Sequence, residues 1–356
     1  MNLTRRRLLQ QAGSTLLGVA VGSGGLVGCD RLLAPRLKRY EQALAAAAPR
    51  KLALLVGINE YPNSVNLGGC LSDVELQREL LLYRFGFSPS DILVLTDRQA
   101  THAAIETAFR EHLIAQAGEN DVVVFHFSGY GSQFSASGLN GSGSDSSKLV
   151  PGLVPWDGIL SVKNKPVANQ ILLETLLLLA ESLKTQRYTL VLDASYASTD
   201  DSLQGNLRLR SCPNEAVGQI NGEELAFQME LRQGNLPKAL LGEGLGVLLA
   251  AAAPGEIAAE SVHSGFSAGL FTYGLTQFLW QAAPGRTVVA ALAEAAQTVA
   301  GLAGQQQQPT LQSWGKKTNW LTSYHKTGFW GLKGWLAPLM MVVSFKFFYQ
   351  DSQPRF

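Results

Sequence analysis

Cysteine and histidine are scarce in this chain, and positive and negative charges nearly cancel. The 356 residues include three cysteines, Cys29, Cys70 and Cys212, which are too few and too scattered for a disulfide framework. No C-x-x-C pair or His/Cys cluster indicates a zinc site. The formal net charge is +1, the sequence pI is near 7.7, and there is no arginine-rich stripe, so the composition argues against nucleic acid as a partner.

The remaining composition is that of a folded domain with appendages. Hydrophobic residues make up 46% of the chain and charged residues 16%, which is enough to bury one large core or two small ones. We favour one domain, over residues 51–315.

The first 29 residues have the composition of an export signal. Arg5, Arg6 and Arg7 precede a Gly- and Ala-rich apolar stretch and resemble a twin-arginine signal, which predicts export and a periplasmic or lumenal location. Residues 26–29, Leu-Val-Gly-Cys, resemble a lipobox, so lipidation of Cys29 would anchor the protein to a membrane surface. The alternative is an uncleaved signal anchor. Residues 30–50 are alanine-rich and basic and are interpreted as a tether.

The middle of the chain alternates strand and helix patterns. Short apolar runs predict parallel strands over 52–58, 92–96, 121–128, 188–194 and 246–252. Helical spacing predicts helices over 71–85, 169–183 and 265–281, and one that Thr101 caps and Gly118 ends. Segments 134–149 and 197–235 lack periodicity and are predicted to be surface loops. This βαβ order predicts an α/β fold with a mostly parallel sheet and helices on both faces.

Two of the strands end in small-residue loops that carry a specific pattern. Residues 125–133 read Phe-His-Phe-Ser-Gly-Tyr-Gly-Ser-Gln, and residues 190–198 read Leu-Val-Leu-Asp-Ala-Ser-Tyr-Ala-Ser. They resemble the active-site segments F-x-F-S-G-H-G-S-Q and L-x-x-D-x-C-H-S-G of the caspase and metacaspase superfamily. In this resemblance Tyr130 occupies the histidine position of the catalytic dyad and Ser195 the cysteine position.

Further segments extend the resemblance over most of the chain, in the family's order: 51–61, 67–73, 153–157 and 269–276. The bacterial branch, the orthocaspases, is the most similar, and in that branch replacement of the dyad by tyrosine and serine recurs. The resemblance implies a caspase-like three-layer sandwich with a mostly parallel six-stranded sheet.

The same resemblance implies a pocket for a basic side chain. Asp73, Ser128 and Asp193, with Cys70 nearby, match the positions at which metacaspases bind the Arg or Lys before the cleaved bond. Paired carboxylates suit a guanidinium, which they bind by charge-assisted hydrogen bonds. The alternative is structural: Asp73 would cap its helix and Asp193 would bond backbone amides of the next loop.

The catalytic chemistry of the family is missing from these positions. A phenol of pKa about 10 is only about one part in a thousand ionised at pH 7, so Tyr130 is a poor base for the Ser195 hydroxyl. Tyr196 replaces the histidine that follows the family's cysteine. His126 is predicted to pack within the sheet or to cap it. Gly129 and the amide of residue 195 match the family's oxyanion hole.

Two other family features also bear on function. In active relatives the loop after the cysteine is cut at basic residues, for which Arg208, Arg210 and Arg232 are the candidates here. Without the family's nucleophile we expect no such self-cleavage in this chain. Calcium sites of metacaspases use aspartates after the P-x-D element and after the cysteine. Residues 158–166 contain no carboxylate, and Asp200 and Asp201 alone make a weak cage, so we expect no calcium or other cofactor.

The end of the chain is apolar. Residues 310–314 are predicted to form the last edge strand of the sheet, and 316–356 a separate tail. Lys333 and Lys346 bracket a stretch too short to cross the hydrocarbon core, which favours an interfacial or core-packed segment over a transmembrane helix.

These observations support three hypotheses of function. The first is a non-peptidase that binds Arg- or Lys-containing peptides or partner proteins at a membrane surface. The second is an endopeptidase that cuts after Arg or Lys with Ser195 as nucleophile. The third is a purely structural module.

Overall fold

A six-stranded, mostly parallel sheet forms the centre of the molecule. The protein is described by a computed structural model over residues 49–62, 64–136, 149–158, 169–196, 203–204, 207–211, 216–218, 222–233, 246–252, 257–263, 265–281 and 310–313. The sheet strands are β1 (Lys51–Gly57), β2 (Ile92–Thr96), β3 (Val122–Ser128), β7 (Tyr188–Asp193), β11 (Val247–Ala250) and β14 (Thr310–Ser313). Their order is β14-β11-β7-β3-β1-β2, and only β14 is antiparallel to its neighbour. The expected caspase-like sheet, including the edge strand near 310, is confirmed.

Helices cover both faces of this sheet, because successive strand residues point to opposite sides. Helices α1 (Cys70–Tyr83) and α5 (Leu270–Gln281) pack on one face, and α2 (His102–Ala108) and α3 (Leu173–Glu181) on the other. The Thr101 hydroxyl accepts a hydrogen bond from the Ala104 amide at 3.2 Å, which confirms the predicted cap of α2. A π-helical turn, Phe109–Ile114, continues α2 and ends before the predicted Gly118.

The two segments predicted as loops contain regular structure. Strands β4 (Gly131–Ala136), β5 (Leu149–Leu153), β6 (Ile171–Leu172) and β10 (Ala216–Gly218) form a second sheet. A third sheet contains β8 (Leu203–Gln204), β9 (Leu207–Leu209), β12 (Ala259–His263) and β13 (Phe266–Gly269), and helix α4 spans Gly222–Gln233. The loop prediction is therefore wrong for the end of β4, for β8, β9 and β10, and for α4. The strands among these are too short to show periodicity and are stabilised by pairing with other strands.

Two predicted helices begin later than expected. Residues 266–269 pair with β12 as a strand, so the last core helix starts at Leu270 and not at 265. Asn169 has φ of 81°, in the left-handed region, and the helix predicted from 169 begins at Leu173.

The predicted signal, the first 48 residues and the apolar tail lie outside the described residues. Within the described part of the chain, no helix combines the length and the apolar character needed to cross a bilayer.

Candidate functional site

Three sequence-predicted residues meet at the carboxyl ends of the central strands. Ser128 ends β3 and Asp193 ends β7, and the two are register partners in adjacent strands. Asp73 lies in the first turn of α1, and its Oδ2 accepts a hydrogen bond from the Ser128 hydroxyl at 2.6 Å. All three side chains are fully buried. Parallel strands present their carboxyl ends at one edge of a sheet, which is why these residues converge.

The arginine side chain of Arg210 fills the site that these residues form. Its Nη1 lies 3.1 Å from Asp193 Oδ1 and donates to the Ser128 hydroxyl at 2.7 Å. Its Nη2 lies 2.7 Å from Asp73 Oδ2. Arg210 is among the largest fully buried side chains of the described residues. The pocket predicted to bind a basic side chain thus holds one supplied by the same chain.

A third carboxylate, which sequence reasoning missed, completes the pocket. Glu260 Oε2 lies 3.1 Å from Arg210 Nη2 and accepts from the Gly69 amide at 3.0 Å, while Oε1 accepts from the Gly68 amide at 2.6 Å. Glu260 lies on β12, in a segment that matches no motif. Its position becomes apparent only when β12 is placed beside the pocket.

Glycines form the walls that leave room for the guanidinium. A Cβ atom at Gly69 would lie 2.9 Å from Arg210 Nη2, and a Cβ at Gly269 would lie 2.5 Å from Nη1 and collide with Asp193 Oδ2. Cβ atoms do not approach other atoms this closely, and a Cβ at Gly69 would also lie 2.9 Å from the Ala268 backbone, so both positions require glycine whether or not an arginine occupies the pocket.

The structural alternative for the two aspartates holds only in part. Helix α1 has no side-chain cap, and Asp73 Oδ1 instead accepts from the Gly269 amide at 2.9 Å. Asp193 Oδ2 accepts from the amide and hydroxyl of Thr272, at 3.0 and 2.6 Å. Asp193 therefore bonds a backbone amide, but that amide belongs to α5 and not to the loop after β7, and Asp73 is not a helix cap.

The main chain of Arg210 is held as well as its side chain. Its carbonyl oxygen accepts from the amides of Gly131, at 3.1 Å, and Ser195, at 3.3 Å. Two convergent amides of this kind stabilise the oxyanion that forms when an amide carbonyl is attacked. Gly129, which the sequence placed in this role, donates its amide to the Asp193 carbonyl at 3.3 Å instead. The amide beside that of Ser195 is that of Gly131.

The side chains at the dyad positions are not arranged as a base and a nucleophile. The Tyr130 hydroxyl donates to the Val65 carbonyl at 2.8 Å, and its ring packs on Tyr61 with centroids 4.9 Å apart. Ser195 is buried, and its Oγ has no hydrogen-bond partner among the described residues. A serine hydroxyl needs a base within hydrogen-bond reach to become nucleophilic.

Burial and excess negative charge determine the protonation of the pocket. Burial acts to lower the pKa of Arg210, but the carboxylates of Asp193 and Asp73 outweigh it and hold that pKa well above its ordinary value. Burial also raises the pKa of Asp73 to about 7, although the Arg210 charge opposes it. Burial raises the pKa of the Cys70 thiol well above its ordinary value, so this predicted pocket residue remains neutral.

His126 lies on the same face of β3 as Ser128, two residues from the pocket. It is fully buried, and neither ring nitrogen has a hydrogen-bond partner among the described residues. Burial and, to a lesser extent, the Arg210 charge lower its pKa from 6.5 to about 3. Its packing inside the sheet agrees with the sequence prediction.

We expect His126→Leu to raise the free energy of unfolding by about 1–3 kcal/mol, because a buried, unpaired polar group is removed. The gain should be larger at pH 5 than at pH 8. The unfolded state binds a proton at His126 below pH 6.5 and the folded state does so only near pH 3, so the wild type loses stability as the pH falls through this window. Urea denaturation at the two pH values measures the difference.

Thr189→Val is the matched control for this prediction. Thr189 is buried in β7 and its hydroxyl also lacks a partner among the described residues, but threonine does not titrate. Its effect should be the same at both pH values. A His126→Leu gain that is independent of pH would contradict the prediction.

Asp157, the aspartate of the P-x-D element, is bound by groups of the protein itself. Its Oδ1 accepts from the His102 amide at the start of α2, at 2.8 Å, and its Oδ2 from the Asn169 side chain, at 2.8 Å. The described residues contain no group of three or more His, Cys, Asp or Glu side chains that could hold a metal ion. Asp200 and Asp201 lie outside the described residues.

Comparison with known proteins identifies the class. A family model for the caspase domain matches residues 50–318, so this chain belongs to the caspase domain family. Metacaspase-9 of Arabidopsis thaliana is 46% identical over 91 residues, which cover 24% of this chain and 28% of that protein. Metacaspase-1 of Meyerozyma guilliermondii is 40% identical over 93 residues, which cover 25% and 23%.

These alignments span about a quarter of each metacaspase, 28% and 23%. A crystal structure of a Geobacter sulfurreducens protein shares the fold, with a TM-score of 0.50 and 15% identity over 76% of this chain and 96% of that one. The family match and the metacaspase relatives place the chain in the caspase/metacaspase-like peptidase family.

Proposed function

We propose that this protein binds arginine- or lysine-containing segments of proteins without cutting them. The observation that carries the proposal is the seating of Arg210. Its side chain is paired with three buried carboxylates, and its carbonyl oxygen accepts from two amides. A basic segment thus occupies the pocket in the pose of a substrate, next to side chains that lack a base and an activated nucleophile.

The strand before Arg210 supports the same proposal. The Arg210 amide donates to the Ala258 carbonyl at 2.8 Å, and β9 pairs antiparallel with β12. Addition of a strand to an exposed sheet edge is a common way to bind an extended peptide. A protein segment that displaces residues 207–211 would find the same edge and pocket. Such a binder would share its targets with an active peptidase of the same specificity and would regulate it by occupying them.

The place of action is proposed from the sequence alone. The arginines near the amino terminus and the segment before Cys29 favour export by the twin-arginine route and attachment through lipid to the periplasmic or lumenal face of the membrane. These residues lie outside the described part of the chain.

The test is peptide binding to a chain whose own arginine has been removed. Arg210→Gln empties the pocket of the guanidinium but leaves an amide that can donate to one carboxylate. We expect a fluorescent peptide containing Leu-Arg-Leu-Arg-Ser to bind this variant at least about 10-fold more tightly than the wild type. The reason is that a tethered segment competes at a millimolar effective concentration. Fluorescence anisotropy measures both dissociation constants.

Gly269→Ala, combined with Arg210→Gln, is the control variant. The added methyl group would occupy the space of the guanidinium and press against Asp193 Oδ2 without changing any charge, so peptide binding should be lost. Circular dichroism and the thermal transition check that this variant still folds. If neither variant binds, or if both bind equally, the proposal fails and a purely structural role is favoured.

The serine-peptidase hypothesis is separated from this proposal by a covalent probe. A serine-directed phosphonate should leave the wild type unlabelled, because the Ser195 hydroxyl has no base among its described neighbours. Labelling of the wild type that disappears in Ser195→Ala would establish the nucleophile and contradict the proposal.

A further inference from the structure

We call the edge of β12 together with the pocket of Asp73, Asp193 and Glu260 the groove. We infer that this groove recognises a defined residue pattern in an extended strand: an apolar residue, an unrestricted residue, a second apolar residue, arginine, and then a small residue. This inference rests on the proposed binding function and states which segments that function selects. Residues 207–211, Leu-Arg-Leu-Arg-Ser, are the ligand from which the pattern is deduced.

The main-chain contacts require an extended ligand in a fixed register. Leu209 pairs with Ala259 and Arg208 with Glu260 in the antiparallel ladder, and the Arg210 amide follows by donating to Ala258. Side chains of a strand alternate between its two faces, so alternate ligand positions meet the same surface. The register therefore determines which ligand residues face the apolar part of the groove.

Both apolar positions face one small hydrophobic cluster. Leu209 is only 2% exposed and packs with Ala259 and Leu270, and Leu207 and Ile257 pack against the same cluster. A polar residue at the position of Leu209 would be buried there without water. The residue just before arginine, and to a lesser degree the residue three before it, must therefore be apolar.

The residue between them is unrestricted. Arg208 is only half-buried, and its guanidinium donates to the main-chain carbonyl of Asn66 at the surface. Water can replace a single exposed donor of this kind, so other side chains at this position should bind nearly as well.

Arginine is preferred to lysine because the three carboxylates contact two different nitrogens of the guanidinium group. Asp193 contacts Nη1, whereas Asp73 and Glu260 contact Nη2. A lysine ammonium is a single point charge and cannot contact Asp193 and the Asp73–Glu260 pair at the same time. It would therefore leave a buried carboxylate unpaired. Glu260 is thus a specificity-determining residue of this groove.

The residue after arginine must be small. Ser211 is fully buried and bridges to Gly131, at which a Cβ atom would collide with the Ser195 carbonyl. Because Ser211 is itself fully buried, a larger side chain at this position would have to displace the residues packed around it.

The first experiment uses the intact full-length chain. Trypsin cleaves after arginine only when the segment has left the groove, so the cleavage rate after Arg210 reports the open population. Leu209→Asn should raise this rate by about 10- to 100-fold, the effect of losing one buried leucine side chain. Arg208→Gln is the control and should leave it within about 3-fold. Mass spectrometry of the fragments measures the rates, and equal rates for wild type and Leu209→Asn would overturn the inference.

The second experiment compares peptides on the Arg210→Gln chain. Relative to Leu-Ala-Leu-Arg-Ser, a peptide with Asn before the arginine, or with Lys in place of arginine, should bind at least about 10-fold more weakly. Equal affinities would retain the proposed function and overturn the residue pattern. If no arginine peptide binds, the proposed function fails, and the trypsin result still decides whether the groove selects its own segment by this pattern.

Discussion

A chain that carries both Tyr130→His and Ser195→Cys is expected to cut its own peptide bond between Arg210 and Ser211. A cysteine and a histidine titrate near neutral pH and form a nucleophile–base pair, which a phenol and an alcohol do not. The carbonyl oxygen of Arg210, whose carbon would be attacked, already accepts hydrogen bonds from the amides of Gly131 and Ser195, at 3.1 and 3.3 Å. Since the phenol alone costs about 4 kcal/mol at pH 7, the cleavage rate should rise by at least about 10³-fold.

Mass spectrometry of the incubated protein should detect fragments that end at residue 210 and begin at residue 211. Ser195→Cys alone is the matched control, because it supplies a thiol without an imidazole and should cut far more slowly. The double variant that also carries Arg210→Gln should remain intact. Cleavage of the unmodified chain at this bond, abolished by Ser195→Ala, would contradict the proposal of a non-hydrolytic protein.

Arg210→Ala should lower the free energy of unfolding by about 3–5 kcal/mol at pH 8, because buried carboxylates lose their only described cationic partner. The deficit should shrink as the pH falls. Burial raises the folded pKa of Asp73 from 3.8 to about 7 although the Arg210 charge opposes it, so removal of Arg210 raises this pKa further. The folded variant therefore binds a proton at Asp73 at a higher pH than the folded wild type does, and acid begins to stabilise the variant first. Urea denaturation at pH 8 and pH 6 measures both effects.

Arg110→Ala is the matched control for the loss of an arginine charge. Arg110 pairs with Glu106 at 3.5 Å on the surface, with half of its side chain exposed, and its removal should change stability by less than about 1 kcal/mol. Addition of agmatine, a free guanidinium compound, should stabilise Arg210→Ala and leave Arg110→Ala unchanged. If Arg210→Ala is no less stable than Arg110→Ala, the buried cluster does not contribute as described.

The strands of the central sheet and two pocket aspartates were predictable from the sequence, because each leaves a local signal. Continuous apolar runs mark β1, β3 and β7, and Asp73 and Asp193 lie in motifs with fixed spacing. Glu260 gave no such signal, since its role depends on how β12 lies against the start of α1. Arg210 was identified only as one of several basic residues, and its insertion into the pocket depends on pairing between β9 and β12.

The assignment of the oxyanion amide shows the same limit. Gly129 and Gly131 are both small residues in one loop, and the sequence does not specify which amide points toward the Ser195 amide. The direction is set by the turn into β4, where the Gly131 amide faces the Arg210 carbonyl.

The pairing of residues 207–209 with β12 has a consequence for solubility. Were this segment to swing away, the main chain near Ala258 and Ala259 would present bare donors and acceptors along a strand margin, the kind of surface on which chains stack edge to edge into aggregates. Release of the segment without simultaneous capture of a replacement would therefore favour precipitation. Exchange of one extended segment for another, in a single concerted event, avoids that exposed intermediate.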